Sequence, residues 1–220
     1  MKRSSLFLTL LFTLTLLAGC SSPPVPDWQM NAKGSLERST EAYLSGNDRV
    51  AAREFEHARA EVARTGRPDL LARTELMRCA PRVASLDLTP CTGFEALRAD
   101  AAPAERAYAD YLAGRVSPQD SGLLPAPHRA VAAGAIAGGA VALPEGADPL
   151  ARLLAAAVLL QAGRASPAIV AQAVDTASAQ GWRRPLLAWL GVQVKLAEQG
   201  GAASEAERIR RRIELVQGKP

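Results

Sequence analysis

Aromatic residues make up only 5% of this 220-residue chain, and it has just two histidines. β-Branched residues are also sparse beyond the first twenty positions. Sheets draw on aromatic and β-branched side chains, so these shortages argue against a β-sandwich, a barrel or an α/β sheet. His57 and His128 stand alone, without a His-x-x-x-His pair or a Cys–His cluster, so no metal set and no metal cofactor is expected. A Gly-x-Ser-x-Gly elbow, a Walker lysine loop and a dinucleotide fingerprint are all missing. Glu37, Glu41, Glu54 and Glu61 alternate with arginines as exposed helix faces do, and they define no carboxylate pair across a cleft. These absences lead us to expect a protein that is not an enzyme and needs no cofactor.

Charge excludes another class. The formal net charge is +4, and loss of Lys2 and Arg3 with a leader lowers it by two. So small an excess gives no basis for a nucleic-acid partner.

What is abundant is alanine, the best helix former. Apolar residues recur at spacings of three and four, as in Ala51, Phe55, Ala58 and Val62. Asp148–Pro149 and Ser166–Pro167 read as N-cap and first-turn pairs, with Arg184–Pro185 as a weaker start. Gly163, Gly181 and Gly200 read as the matching stops. Four helices in consecutive hairpins are therefore expected after Gly146. Further helices are expected over 32–44, from Asp48 as N-cap, from Pro68 to before Pro81, and over 103–112. Leu76 and Met77 are assigned to the buried side of the third helix. The fold class is all-α: antiparallel helix hairpins in a solenoid-like or tetratricopeptide-like array.

The N-terminus is a processing segment. Lys2 and Arg3 precede an apolar run from Leu6 to Ala18 that is too short to span a bilayer. Leu17, Ala18, Gly19 and Cys20 closely resemble the bacterial lipoprotein signal. That resemblance implies cleavage before Cys20, lipid on its sulfur and an acylated new amine. Ser21 rather than aspartate after the cysteine implies the outer membrane, periplasmic face. Residues 1–19 are then the signal peptide, 20–31 a proline-rich tether and 32–217 the helical domain, with any subdivision near 115–127. Trp28 is expected to dock on the first helix.

In an oxidising compartment the two remaining cysteines, Cys79 and Cys91, are placed to close a short loop, so a disulfide is expected. Tyr43-Leu44-Ser45-Gly46 is echoed by Tyr111-Leu112-Ala113-Gly114, an offset of twice the 34-residue tetratricopeptide period. Leu44, Gly46, Ala51, Phe55 and Ala58 resemble that repeat's layout, with one extra residue between leucine and glycine. The other copies lack the usual aromatics and closing proline. The resemblance implies a scaffold or accessory protein that holds an envelope protein or peptide. The alternatives are a peptidoglycan-acting enzyme and a lipoprotein that binds an apolar ligand, for which the small-residue stretch from Ala130 to Leu143 would be the support. Arg53, Arg59 and Glu61, read as the wet side of the second helix, are the candidate partner-binding residues.

Overall fold

A computed structural model describes residues 24–137, 141–146 and 148–218. Cys20 and the leader lie outside the described residues, as do Gly138 and Gly139. Among the described residues the chain is all-α. Ten α-helices run in order: α1 Asp27–Leu44, α2 Asp48–Ala63, α3 Pro68–Ala84, α4 Thr92–Glu95, α5 Pro103–Leu112, α6 Ala126–Ala137, α7 Pro149–Gln161, α8 Pro167–Ala179, α9 Arg183–Gln199 and α10 Ala203–Gln217. A 3-10 turn at Ser121–Leu123 precedes α6.

The expected caps show how local chemistry starts these helices. Asp148 accepts from the N–H groups of Leu150 and Ala151, and Ser166 from that of Ile169, satisfying donors that the first turn leaves free. The sequence echoes are also shared helix ends. At Gly46, Gly114 and Gly163 a left-handed glycine lets the next N–H reach back to a carbonyl in the last turn: Asn47 to Ala42, Arg115 to Asp110 and Arg164 to Leu159.

Several boundaries differ from expectation. α1 starts at Asp27, five residues early, so Trp28 lies in its first turn and the tether is shorter. Asn47, not Asp48, caps α2, its side chain accepting from Val50 N–H. α10 starts at Ala203, with Ala202 at the N-cap position and no side-chain cap bond. α3 continues through Pro81 to Ala84. Proline costs most in mid-helix, but here it falls in the last turn, and the one N–H it removes would have served the carbonyl of Met77. The Ser85 hydroxyl donates to the Pro81 carbonyl and helps close that end.

Packing places α1 against α2 and α3, and α3 against α5 and α7. After residue 146, α7, α8, α9 and α10 pack each on the next, as consecutive hairpins. One buried cluster runs from Leu44 to Ile209 and so includes residues on both sides of the 115–127 segment.

The two ends of the chain meet through α9. Trp189 is fully buried, and its indole N–H donates to the carbonyl of Ala84, 3.0 Å away, the last residue of α3. Trp182 donates to Glu41 at 3.0 Å. Arg184 donates through Nε to the carbonyl of Tyr43 at 2.7 Å, reaches Asp48 at 2.5 Å, and lies over the Tyr43 ring at 4.2 Å.

Cys79 and Cys91 are joined by a disulfide with a Cα–Cα distance of 6.0 Å, which ties α3 to the start of α4. Gly93 follows closely. A Cβ there would fall 2.2 Å from Oε2 of Glu75, so the absent side chain is what lets α4 sit over that buried carboxylate.

Two outcomes follow from this packing. Trp189→Phe keeps a six-membered aromatic ring but removes the N–H that serves the Ala84 carbonyl, and should lower unfolding free energy by at least about 1–3 kcal/mol with unchanged helicity, read from urea midpoints. Replacing both Cys79 and Cys91 with serine should cost about 3 kcal/mol, the chain-entropy value for so short a loop. An equal urea midpoint for the reduced and oxidised protein would contradict it.

Candidate functional site

The helix order brings α1, α3 and α5 side by side, with α2, α6 and α7 around them. Two hollows open on this face. The smaller, about 230 Å³, lies among α1, α2 and α3 and is lined by Tyr43, Phe55, Arg78 and Pro81 among others. The larger, about 550 Å³, lies among α3, α5, the 3-10 turn and α7, with Arg73, Glu105, Leu124, Arg129 and Leu150 in its lining. Thr40 and Met77 line both, so the two hollows form one groove with Met77 on the ridge between them.

The groove is open rather than enclosed and mainly apolar. Met77 and Leu123 are each 44% exposed. The buried face of α3 is Ala72, Leu76, Cys79, Ala80 and Val83. At about 100° per residue these five positions span an arc of about 100°, and Met77 falls about 60° beyond its edge, so the expectation that both Leu76 and Met77 are buried is corrected. Arg73 and Met77, four residues apart, lie together on the groove side instead.

Arginine surrounds this apolar strip. Arg78 holds its guanidinium 4.6 Å above the Phe55 ring. Arg129 donates through Nε to the carbonyl of Leu124 at 2.8 Å, which leaves both terminal nitrogens free of that bond. Glu105 places Oε2 out of solvent without a hydrogen-bond partner among the described residues.

Behind the groove, α5 and α6 enclose a histidine. His128 is 4% exposed, and its Nδ1 shares a 3.1 Å hydrogen bond with the Tyr111 hydroxyl. The ring also lies 5.8 Å from that of Tyr108, which lines the larger hollow. Burial pulls the imidazole down to about 4, opposed weakly by Asp148, and pushes the Tyr111 phenol up. His128 thus holds α6 onto α5 as a neutral ring. His57 is exposed on α2, with Nδ1 2.9 Å from Ser35 Oγ.

The sequence candidates on α2 are not brought together. Arg53 is exposed. Arg59 donates to the buried carboxylate of Glu75 at 3.0 Å. Glu61, expected on the wet side, is 8% exposed and takes a 3.0 Å bond from Arg64. Arg59 and Glu61 project about 160° apart around the helix, because two residues take a chain just past half a turn. Among the described residues no group of three His, Cys, Asp or Glu is placed to hold a metal ion, and no helix is long and apolar enough to cross a membrane.

A histidine held this far below its ordinary 6.5 has a pH consequence. The unfolded chain takes up the proton first, so stability is full above about pH 6.5 and falls as pH drops toward 4, by up to about 3 kcal/mol. Urea titrations across that window should show a slope that His128→Gln flattens. Equal slopes would contradict the assignment. No protein-family model matches this chain, and no curated protein and no solved structure matches it at a significant level.

Proposed function

We propose that this protein is a lipid-anchored accessory protein of the bacterial envelope, tethered through Cys20 to the periplasmic face of the outer membrane. It holds a segment of a partner protein in the groove across α1, α3 and α5, and it does no covalent chemistry. The observation that carries the docking part is the exposed Met77 ridge between two hollows. Methionine is an unbranched, polarisable side chain suited to repacking against a partner. An open groove lined by neighbouring helices accepts side chains projecting from another chain, whereas an apolar small molecule favours enclosure. The proposal moves the working surface from Arg53, Arg59 and Glu61 to the groove. Arg59 and Glu61 already serve carboxylate–guanidinium contacts within the fold, so changing them would alter folding as well as binding.

The anchor reading rests on the resemblance of Leu17 to Cys20 to the lipoprotein signal. With α1 beginning at Asp27, six residues, or seven Cα–Cα steps, separate it from Cys20. Even fully extended they reach about 25 Å, so the start of α1 would be held close to the headgroups. Confinement of this kind raises the effective concentration of neighbouring envelope proteins.

Two outcomes are expected. Cys20→Ala should abolish labelling by a fatty-acid analogue and release the protein from the membrane fraction; undiminished label in the variant would remove the anchor. A photo-crosslinking residue at Met77 should give a discrete adduct with an envelope protein in cells, while the same residue at Arg211 on α10 should not. Adducts at Arg211 and none at Met77 would put the docking surface elsewhere.

A further inference from the structure

Most arginines of this protein that lie against another helix are neutralised there. Arg38 meets Glu54, Arg59 meets Glu75, Arg98 meets Asp110 and Arg184 meets Asp48. Around the groove the pattern changes. Of the four arginines that line it, Arg82 pairs with Asp87, whereas Arg73, Arg78 and Arg129 have no carboxylate at ion-pair distance among the described residues. Of the acids in the lining, Asp48 is already taken by Arg184, which leaves Glu105.

From this juxtaposition we infer that the groove is shaped for an acidic amphipathic segment of a partner protein, apolar on one face and rich in Asp or Glu beside it. The inference rests on the docking reading above and names the chemistry of the occupant. Apolar side chains of the segment fill the hollows on either side of Met77. Its carboxylates meet Arg73 at one wall and Arg129 at the other, where guanidinium forks are suited to carboxylate. Arg78 contributes positive charge at the smaller hollow while its stacking on Phe55 fixes its position. Glu105 presents an unpartnered acceptor inside the larger hollow, which marks the one place where the segment brings a hydrogen-bond donor rather than an acid. A flat anionic membrane could satisfy the guanidinia, yet it would leave concave hollows of about 550 and 230 Å³ unfilled, so the groove favours a peptide over a bilayer surface.

The test uses the full-length chain in phosphatidylcholine nanodiscs. The probes are a fluorescent amphipathic helical peptide, leucine on one face and glutamate on the other, and the same peptide with lysine for every glutamate. The glutamate peptide should bind at least roughly tenfold tighter, since three exposed pairs contribute modestly each, and added salt should narrow the gap. The double variant Arg73→Glu with Arg129→Glu should reverse the preference while helicity and melting stay unchanged. Equal binding of both peptides, or a preference the double variant does not alter, overturns the inference. So does loss of peptide binding on moving to phosphatidylglycerol nanodiscs, which would make the guanidinia a lipid-headgroup site. If the Met77 crosslink to an envelope protein persists while peptide charge has no effect, only the occupant's chemistry fails and the docking reading stands. If the glutamate peptide binds as expected but Met77 gives no crosslink in cells, the chemistry holds and the cellular role fails.

Discussion

The indole of Trp189 has to be buried against the end of α3. An indole N–H removed from water needs an acceptor, and the last carbonyls of a helix need donors. Trp189 and Ala84 meet both needs at once, joining positions 105 residues apart. α3 is thereby held from its far end while its middle supplies Arg73, Met77 and Arg78. Because α3 also packs on α1, α5 and α7, the walls of the groove take their positions from it. Trp182 and Arg184 add a second set of contacts, fastening α9 to the end of α1.

The electrostatics follow from that packing. Where α2 and α3 meet, the acids and arginines pair: Glu75 is buried, takes a hydrogen bond from Arg59, and has a glycine opposite it to make room. At the groove, Arg78 of α3 is supported by an aromatic ring and Arg129 of α6 by a single backbone carbonyl instead, while Arg82 keeps a carboxylate partner in Asp87. Guanidinium tolerates such settings because it is weakly hydrated and stays charged. The fold therefore carries uncompensated charge on one apolar face while most of its other helix–helix contacts are locally balanced.

How much of this was legible in the sequence depended on the range of the interaction. Asp148–Pro149 and Ser166–Pro167 announced α7 and α8 because capping is decided within four residues. Cys79 and Cys91 could be paired because only twelve positions separate them and, with Cys20 read as the lipid site, no third cysteine competes. Pro81 misled because proline is a poor guide in the last turn, where little of the helix remains to be broken. Met77 was missed by being read together with Leu76, although strict helical spacing from Ala72, Leu76, Ala80 and Val83 would have set it apart. Glu61 was missed because a carboxylate in a charged run looks solvated until a neighbouring helix covers it. The contacts from α9 to α1 and α3 had no local signature at all.

The placement of α10 has a consequence for how the molecule opens. An array of hairpins that touch only their neighbours can fray stepwise from an end, each unit nearly independent. α10 fits that description, since its packing is mainly on α9, and Leu215 on it is 77% exposed. α9 does not, because its tryptophans reach back to the first and third helices. Amide exchange should therefore proceed in two tiers, with α10 opening in a local event and α1, α3 and α9 exchanging only when the molecule unfolds as a whole. The α1 and α3 walls of the groove sit in the slow tier, so an occupant meets a surface already ordered there and need not supply the free energy to assemble it.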